Sequence, residues 1–585
     1  MCGIAGIARA PGAAPPDVTT MAGLAHALRH RGPDGVGQVS QGGIALVQTR
    51  LAIVDIAGGD QPLFAGGAAL IANGEIYNDP DLRRDLAGAP FVTGSDCESP
   101  LFLWQRDGDG FAAGLRGMFA IAISASAGSN LLLSRDAFGI KPLYLARVPG
   151  GMAFASEPRA LLETGLAQRG VDVDARNELL QMQFTTGART IFPGITRVLP
   201  GETLRIADGE VIARTRSAAL PAGGPETIDE ASALKRLDAA LMNSVAAHQR
   251  SDVPYGMFLS GGIDSSAVLA CMARLNDRPV RAYTAGFDVP GAPDEREHAA
   301  AVARAVGADH ETIDITKDMV FRHLPDIVAC MDDPAADYAI IPTWFLARRA
   351  RKDVKVVLSG EGGDEIFGGY GRYRNALRPW FLGGRIRRGR GTFGRLDVLR
   401  AKPAAWRDGL AAAESLAAMP GRTALQTHQA TDIAEWLAND LLIKLDRCLM
   451  AHAVEGRTPF LDPAIAAAGF RLPDKLKIRD GRGKYLLRQW LSTALPEARP
   501  FAPKQGFTVP VGAWIAAEGD RLGRLVAAQP GVAEIAEPAK VVGLFRNASG
   551  RREGFAAWTL LFYALWHRAH IEVRPTGGNV YDTLA

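Results

Sequence analysis

The chain has 585 residues, 47% hydrophobic and 22% charged, with a formal net charge of +3. That length suits two to four globular domains, near-neutrality gives no case for a nucleic-acid partner, and no apolar run reaches the 18 residues of a membrane span. Five scattered cysteines without a CxxC pair argue against a disulfide framework or zinc site, and without a basic-then-apolar leader the cytoplasm is the expected location.

The first predicted element begins Met1-Cys2-Gly3-Ile4. Met1 is of a kind usually removed before a small residue, which would leave Cys2 with a free α-amino group. That amine, with an ordinary pKa of about 7.7–8.0, could take the proton of the thiol on the same residue. Taken alone, Cys2 reads better as a small hydrophobe opening a strand. Next come a polar loop, Arg29 to Gly35, and a stretch read as a strand with an arginine at its start, Arg50-Leu51-Ala52-Ile53-Val54-Asp55. A strand at Ala69–Ala72 runs into Asn73-Gly74-Glu75, and Gly94 to Glu98 reads as a polar turn holding Asp96. Further short strands follow, through Gly117–Ile123, Arg135–Tyr144 and Phe154–Glu157.

Each of these pieces has a bland reading by itself. In this order they resemble the glutaminase domain of the class II, N-terminal-nucleophile glutamine amidotransferases. The resemblance implies an αββα two-sheet sandwich over residues 1–215. It makes Cys2 the nucleophile, with the Asn73 side chain and the Gly74 N–H as oxyanion hole. Arg50 would hold the α-carboxylate of glutamine, Leu51, Ala52, Ile53 and Val54 would line it, and Glu75 and Asp96 would bind its α-ammonium.

A Pro/Gly-rich linker is expected over 216–227, then a helix over Glu230–His248 with Leu234, Leu237, Leu241 and Val245 on one face. Met257-Phe258-Leu259 leads into Ser260-Gly261-Gly262-Ile263-Asp264-Ser265-Ser266 and an apolar stretch. That is a buried strand, a glycine turn and a helix start, a place for an anion. Asp264 would repel phosphate unless a cation intervened, and Mg²⁺ suits carboxylate and phosphate oxygens. A Walker lysine is lacking. The pattern resembles the pyrophosphate loop of the N-type ATP pyrophosphatases, which split ATP between α and β phosphates. Strands at Val280–Ala285, near Glu311–Asp314 and at Val354–Leu358 alternate with a helix from His298 to Val306, which implies a parallel sheet.

The run Ser359 to Tyr370 packs five glycines and three acids into twelve residues. It resembles the second signature of the asparagine synthetase domain, as do Lys444–Ala451, Glu455–Asp462, Gly483–Arg488 and Pro503–Phe507. The resemblance implies that Asp264 and Asp364 bind Mg²⁺, and that Ser260, Gly261, Gly262, Ser265, Ser359 and Gly360 contact ATP. Phe258 and Ala285 would lie at the adenine, Lys484 and Lys504 would meet phosphate, and Glu361 would act at the acyl-adenylate.

The whole chain thus resembles the glutamine-hydrolysing asparagine synthetase family, with residues 228–585 as its ATP domain. The implied substrates are glutamine, ATP and aspartate, in a possible homodimer without nucleic acid or membrane. Alternatives are amidation of another carboxylate (a sugar uronate, a peptide or a secondary-metabolite acid) or a non-catalytic regulatory homologue. Asp333, Pro334 and Asp337 are expected to border the acceptor. The arginine-rich stretch 378–400 reads as a surface loop more readily than as an anion site.

Overall fold

Alternation along the first strand sets the layers of the N-terminal half. The computed structural model describes residues 2–125, 130–287, 295–378, 390–503 and 509–585. In β1 (Gly3–Arg9), Ile4 and Ala8 point into one apolar cluster while Ala5 and Ile7 point into another. One sheet joins β1 to β2 (Gly35–Gln41), β3 (Ile44–Arg50), β8 (Tyr144–Val148), β9 (Gly151–Ala155) and β10 (Ile195–Arg197). The other holds β4 (Leu63–Ala65), β5 (Ala68–Ile76), β6 (Gly117–Ser124), β7 (Asn130–Arg135), β11 (Glu202–Ala207) and β12 (Glu210–Arg216). Both are antiparallel.

Between the sheets Ile4, Leu46 and Phe154 meet Ile71, Ala122, Leu133 and Leu204. Each such fully buried large side chain contributes about 1.5–3 kcal/mol. Helices Val18–Leu28 and Val173–Met182 cover the outer face of the first sheet, and Ser99–Asp107 covers that of the second. The layer order is the αββα sandwich that the resemblance implied.

Three boundaries differ from the sequence reading. Arg50 ends β3 instead of opening a strand, because the preceding run Ile44 to Val47 forms the buried strand. Residues 51–55 form a loop in which Leu51 and Ile53 join the apolar cluster of the C-terminal half and Asp55 turns the chain at φ 50°. Asn73, Gly74 and Glu75 continue β5, paired with Ala120, Phe119 and Met118. The turn after Gly94 closes into a single 3₁₀ turn, Asp96–Glu98.

In the second half, β13 (Tyr255–Phe258), β14 (Arg281–Phe287), β15 (Asp309–Ile315), β16 (Val356–Leu358) and β17 (Glu455–Arg457) form a parallel sheet in the order β15-β14-β13-β16-β17. The helix Ile263–Leu275 buries Val268, Leu269 and Met272 in one cluster with Leu237 and Leu241 of helix Glu230–His248. Strands β13 and β16 are neighbours, so the loops after them emerge side by side at the carboxyl edge of the sheet, where ligands bind in such folds.

A helix from Ala424 to Met450 passes through π-helical turns over Asp432–Leu441, a rare geometry found mostly at functional sites. Helix Arg551–His570 is buried nearly all round by Trp558, Phe562 and Trp566, and it anchors the C-terminal helices. Among the described residues no helix is long and apolar enough to cross a membrane.

Candidate active sites

Cys2 lies at the entry to β1, buried between the sandwich and the second half of the chain. Its backbone nitrogen, which Met1 removal would turn into the α-amine, donates to Asn73 Oδ1 at 3.0 Å. The Asn73 Nδ2 is buried without a hydrogen-bond partner. A buried amide donor left unmade costs free energy, so this one is a group waiting for an acceptor, as an oxyanion hole requires. Burial pushes the Cys2 thiol up, and the Leu51 N–H directed at the sulfur offsets part of that rise. The thiol is therefore protonated at rest and needs a base. We expect Asn73→Ala to lower kcat for glutamine hydrolysis by about 10²–10³-fold; an unchanged kcat would remove Asn73 from the oxyanion hole.

Arg50 is already engaged. Its guanidinium donates to Ile56 O (3.0 Å), Asp55 O (2.6 Å) and Asp60 Oδ1 (2.7 Å), so it buttresses the loop after β3. Behind Leu51 and Ala52, Asp34 accepts from the Ala52 N–H at 2.9 Å and from Lys355 Nζ at 2.8 Å. Glu75 is buried, and burial pushes its carboxyl well above the ordinary value against the pull of Arg457, whose Nη2 lies 3.0 Å away. Burial raises Asp96 to about 6, although the Ile76 N–H bonds its Oδ2 at 2.5 Å.

These two acids are the expected seat of an ammonium, and Asp96 must be ionised to hold it. Asp96 is neutral below its raised pKa and charged above it. Accordingly kcat/KM for glutamine should fall as pH drops through about 6; a profile flat from pH 5 to 7 would contradict the assignment.

At the second site Ser260, Gly261 and Gly262 form the turn between β13 and the helix starting at Ile263. Gly261 stands at φ 69°, a conformation that favours glycine, and the Ser260 and Ser265 hydroxyls lie 3.1 Å apart. Asp264 and Asp364, in the first turns of the helices that follow β13 and β16, converge on one ammonium, that of Lys484, which hydrogen-bonds Asp264 and lies 2.7 Å from Asp364. Burial works against the charge of Lys484, but the two carboxylates outweigh it and hold its pKa above the ordinary value. The glycines of the second loop serve this approach: a Cβ at Gly363 would collide with Asp264, and one at Gly369 with Asp364 and Lys484. Ser359 Oγ is buried without a partner, and the Ser359 N–H donates to Arg457 O at 2.9 Å.

A cavity of about 970 Å³ opens over this group, lined by Ser260, Gly261, Gly262, Asp264, Asp364 and Lys484 together with His298, Arg304, Arg488 and Arg499. Phe258 and Ala285 sit on adjacent strands below it without lining it. Lys504 lies outside the described residues, as do residues 379–389 of the arginine-rich stretch. Glu361 stands apart from the two aspartates, 3.6 Å from Lys444 Nζ. That lysine also reaches Asp337 at 3.3 Å; burial opposes its charge, and Glu361 and Asp337 outweigh the burial.

A family model described as glutamine amidotransferase domain matches residues 1–216, and one described as asparagine synthase matches residues 236–568. The chain belongs to the asparagine synthase family. It is 35% identical to a Mycobacterium tuberculosis (strain H37Rv) protein named "Putative asparagine synthetase, glutamine-hydrolyzing", with 98% of each chain covered. It is 32% identical to glutamine-hydrolyzing asparagine synthetase 1 of Bacillus subtilis (strain 168), covering 93% of each, and 30% identical to asparagine synthetase B of Escherichia coli (strain K12), covering 84% of this chain and 79% of that one. It is a ligase, and ATP is a substrate of its family.

The groups that join the two sites carry no motif in the sequence. Arg31, fully buried, forms a two-bond pair with Asp446 (2.7 and 2.9 Å) and a bond to Glu157 (2.7 Å). Arg447 next to it bonds Asp332 at 2.6 Å. Removing one member of such a buried pair costs about 3–5 kcal/mol. Arg457 forms an ion pair with Glu75 at the first site (3.0 Å), and its carbonyl oxygen accepts from the Ser359 N–H at the second (2.9 Å). The one available signal was the density of charged residues in Lys444–Arg447 and Glu455–Arg457, but their partners lie hundreds of residues away.

Proposed function

We propose that this enzyme makes asparagine from aspartate, using nitrogen that Cys2 releases from glutamine and energy from cleaving ATP to AMP and pyrophosphate. The observation that carries the reading is the pair of convergences: an unpartnered Asn73 donor beside Cys2, and Asp264, Asp364 and Lys484 meeting beside the Ser260–Gly262 turn. The proposed division is a glutaminase domain over 1–215, a linker over 216–227 and an ATP domain over 228–585; the end of β12 at Arg216 and the helix start at Glu230 support it.

At the first site the α-amine of Cys2 takes the thiol proton, and the sulfur attacks the glutamine side-chain amide. Asn73 Nδ2 and the Gly74 N–H stabilise the oxyanion. Glu75 and Asp96 hold the substrate ammonium, and Arg50 its carboxylate. The tetrahedral intermediate releases ammonia, and water then frees glutamate from the thioester.

At the second site Ser260, Gly261, Gly262 and Ser265 cradle the β and γ phosphates, with Ser359 and Gly360 against the nucleotide, Phe258 and Ala285 toward its base, and Lys484 and Lys504 against its charge. Asp264 and Asp364 are hard oxygen donors beside an anion turn, a set that fits Mg²⁺, and an ion held there would screen the pyrophosphate charge. The acceptor carboxylate attacks the α phosphorus, pyrophosphate leaves, and ammonia displaces AMP from the resulting acyl-adenylate. Glu361 accepts a proton from the attacking ammonia, oriented by Lys444. Nucleotide products test this scheme: AMP and pyrophosphate are expected, and ADP with phosphate would overturn it.

A further inference from the structure

Arg457 belongs by sequence to the ATP half, yet its side chain ends at the glutamine site. It is the last residue of β17, the edge strand of the parallel sheet, and sits opposite Leu358, the residue before Ser359. The whole side chain is buried. Taking a guanidinium out of water is costly unless its charge and its donors are met.

Three of its contacts come from its own half. Nε donates to Glu455 Oε1 (2.5 Å), and Nη1 donates to the carbonyls of His248 (2.9 Å) and Arg250 (2.5 Å). His248 ends the helix Glu230–His248, where carbonyls lack partners within the helix and a cation is favoured. Glu455 thus answers the charge, and the helix end fixes the plane of the guanidinium. The remaining nitrogen, Nη2, is buried without a hydrogen bond and lies 3.0 Å from Glu75 Oε1, across the boundary between the two halves. Packing of the ATP half does not require that last contact.

Glu75 is the complementary case. It stands two residues after Asn73 on β5, so its carboxyl and the Asn73 amide leave the same face of the strand. Among the described residues Arg457 is the sole cation within 4 Å of it. The same guanidinium opposes the burial that pushes the Glu75 carboxyl up. A carboxyl held on one side by a fixed cation offers its other side in a defined direction.

We propose that Arg457 is a positioning residue of the glutamine site: held from the ATP half, its guanidinium fixes the Glu75 carboxyl in the orientation that receives the α-ammonium of glutamine. The inference rests on the seat proposed above for that ammonium and adds that the seat is completed by a strand of the other half. Arg457 touches no reacting atom; it acts through Glu75 and serves the choice of an α-amino acid as nitrogen donor.

The test is a double-mutant cycle in the full-length enzyme, with Arg457→Met, Glu75→Gln and both together, read as glutamate release from glutamine. Arg457→Met should raise KM for glutamine about tenfold or more, with kcat within about threefold and ammonia-dependent AMP release within about twofold of the wild type. In the Glu75→Gln background the same substitution should change KM by less than about twofold, because the group it acts through is gone. Glutamate and glutarate, which differ only in the α-amine, are compared as inhibitors: Arg457→Met should weaken glutamate by the factor seen in KM and leave glutarate unchanged. Arg457→Lys keeps the charge without the fork and should fall between the wild type and Arg457→Met; it carries the test if the Met variant does not fold.

An unchanged KM in both Arg457 variants, effects that multiply in the double variant, or equal weakening of glutamate and glutarate overturns the proposal and leaves the proposed function standing. A loss of ammonia-dependent AMP release in step with glutamine use in both Arg457 variants makes Arg457 a part of the fold alone and overturns it as well. An unchanged KM in Glu75→Gln removes Glu75 from the ammonium seat, and the role of Arg457 falls with it. No glutamate from glutamine in the wild type overturns both this inference and the proposed function.

Discussion

Replacing Cys2 by Ala should abolish glutamine-dependent AMP release, by at least about 10³-fold, and leave ammonia-dependent AMP release within about twofold. The asymmetry follows from where the sulfur lies. Cys2 touches Asn73 and the Leu51 N–H, whereas Ser260, Asp264, Asp364 and Lys484 gather around another cavity at the edge of another sheet. The substitution removes one sulfur atom from a small buried side chain, a change of about 1 kcal/mol that the fold tolerates. Nitrogen supplied as ammonia bypasses the sandwich. If both activities vanished while the melting temperature held, one site would be doing both jobs, and the assignment of Cys2 to glutamine alone would fail.

The second large effect is expected at Asp364. Asp364→Ala should lower AMP release by about 10³-fold or more with either nitrogen source, while glutamine hydrolysis measured without ATP stays within about twofold. The carboxylate lies 2.7 Å from Lys484 Nζ, and Gly369 is a glycine because a side chain there would strike it. Losing it leaves Lys484 with Asp264 alone and removes half of the oxygen donor set proposed for Mg²⁺. Asp364→Asn keeps the shape without the charge and should lose nearly as much. Wild-type AMP output from either variant would rule out the role of Asp364.

What the chain disclosed before folding was chemistry carried by short segments. The turn at Ser260–Gly262 and the run from Ser359 to Tyr370 were readable because glycines, acids and hydroxyls crowd where a strand ends, and the structure brings the two loops together as neighbours after β13 and β16. Cys2, Asn73, Glu75 and Asp96 stand out in the sequence only through their order along the chain. Arg50 ends a strand instead of opening one, and the burial of Leu51 and Ile53 that follows it is against the other half of the molecule. The pairs Arg31–Asp446 and Arg457–Glu75 had no local trace, since each partner looks like an ordinary charged residue until the chain folds. Lys484 was placed near phosphate by its motif, yet its grip on both aspartates depends on a left-handed backbone at φ 58°, which no spacing rule announces. The π-helical turns that carry Asp440 and lead to Lys444 were equally silent.

The most direct test of the central claim follows the nitrogen. The purified enzyme is given glutamine labelled with ¹⁵N in its side-chain amide, ATP, Mg²⁺ and aspartate, and the products are read by mass spectrometry. The account predicts ¹⁵N in the amide of asparagine, with AMP and glutamate formed in equal amounts. Labelled ammonia and glutamate accumulating without AMP, and without ¹⁵N in any amide, would contradict it.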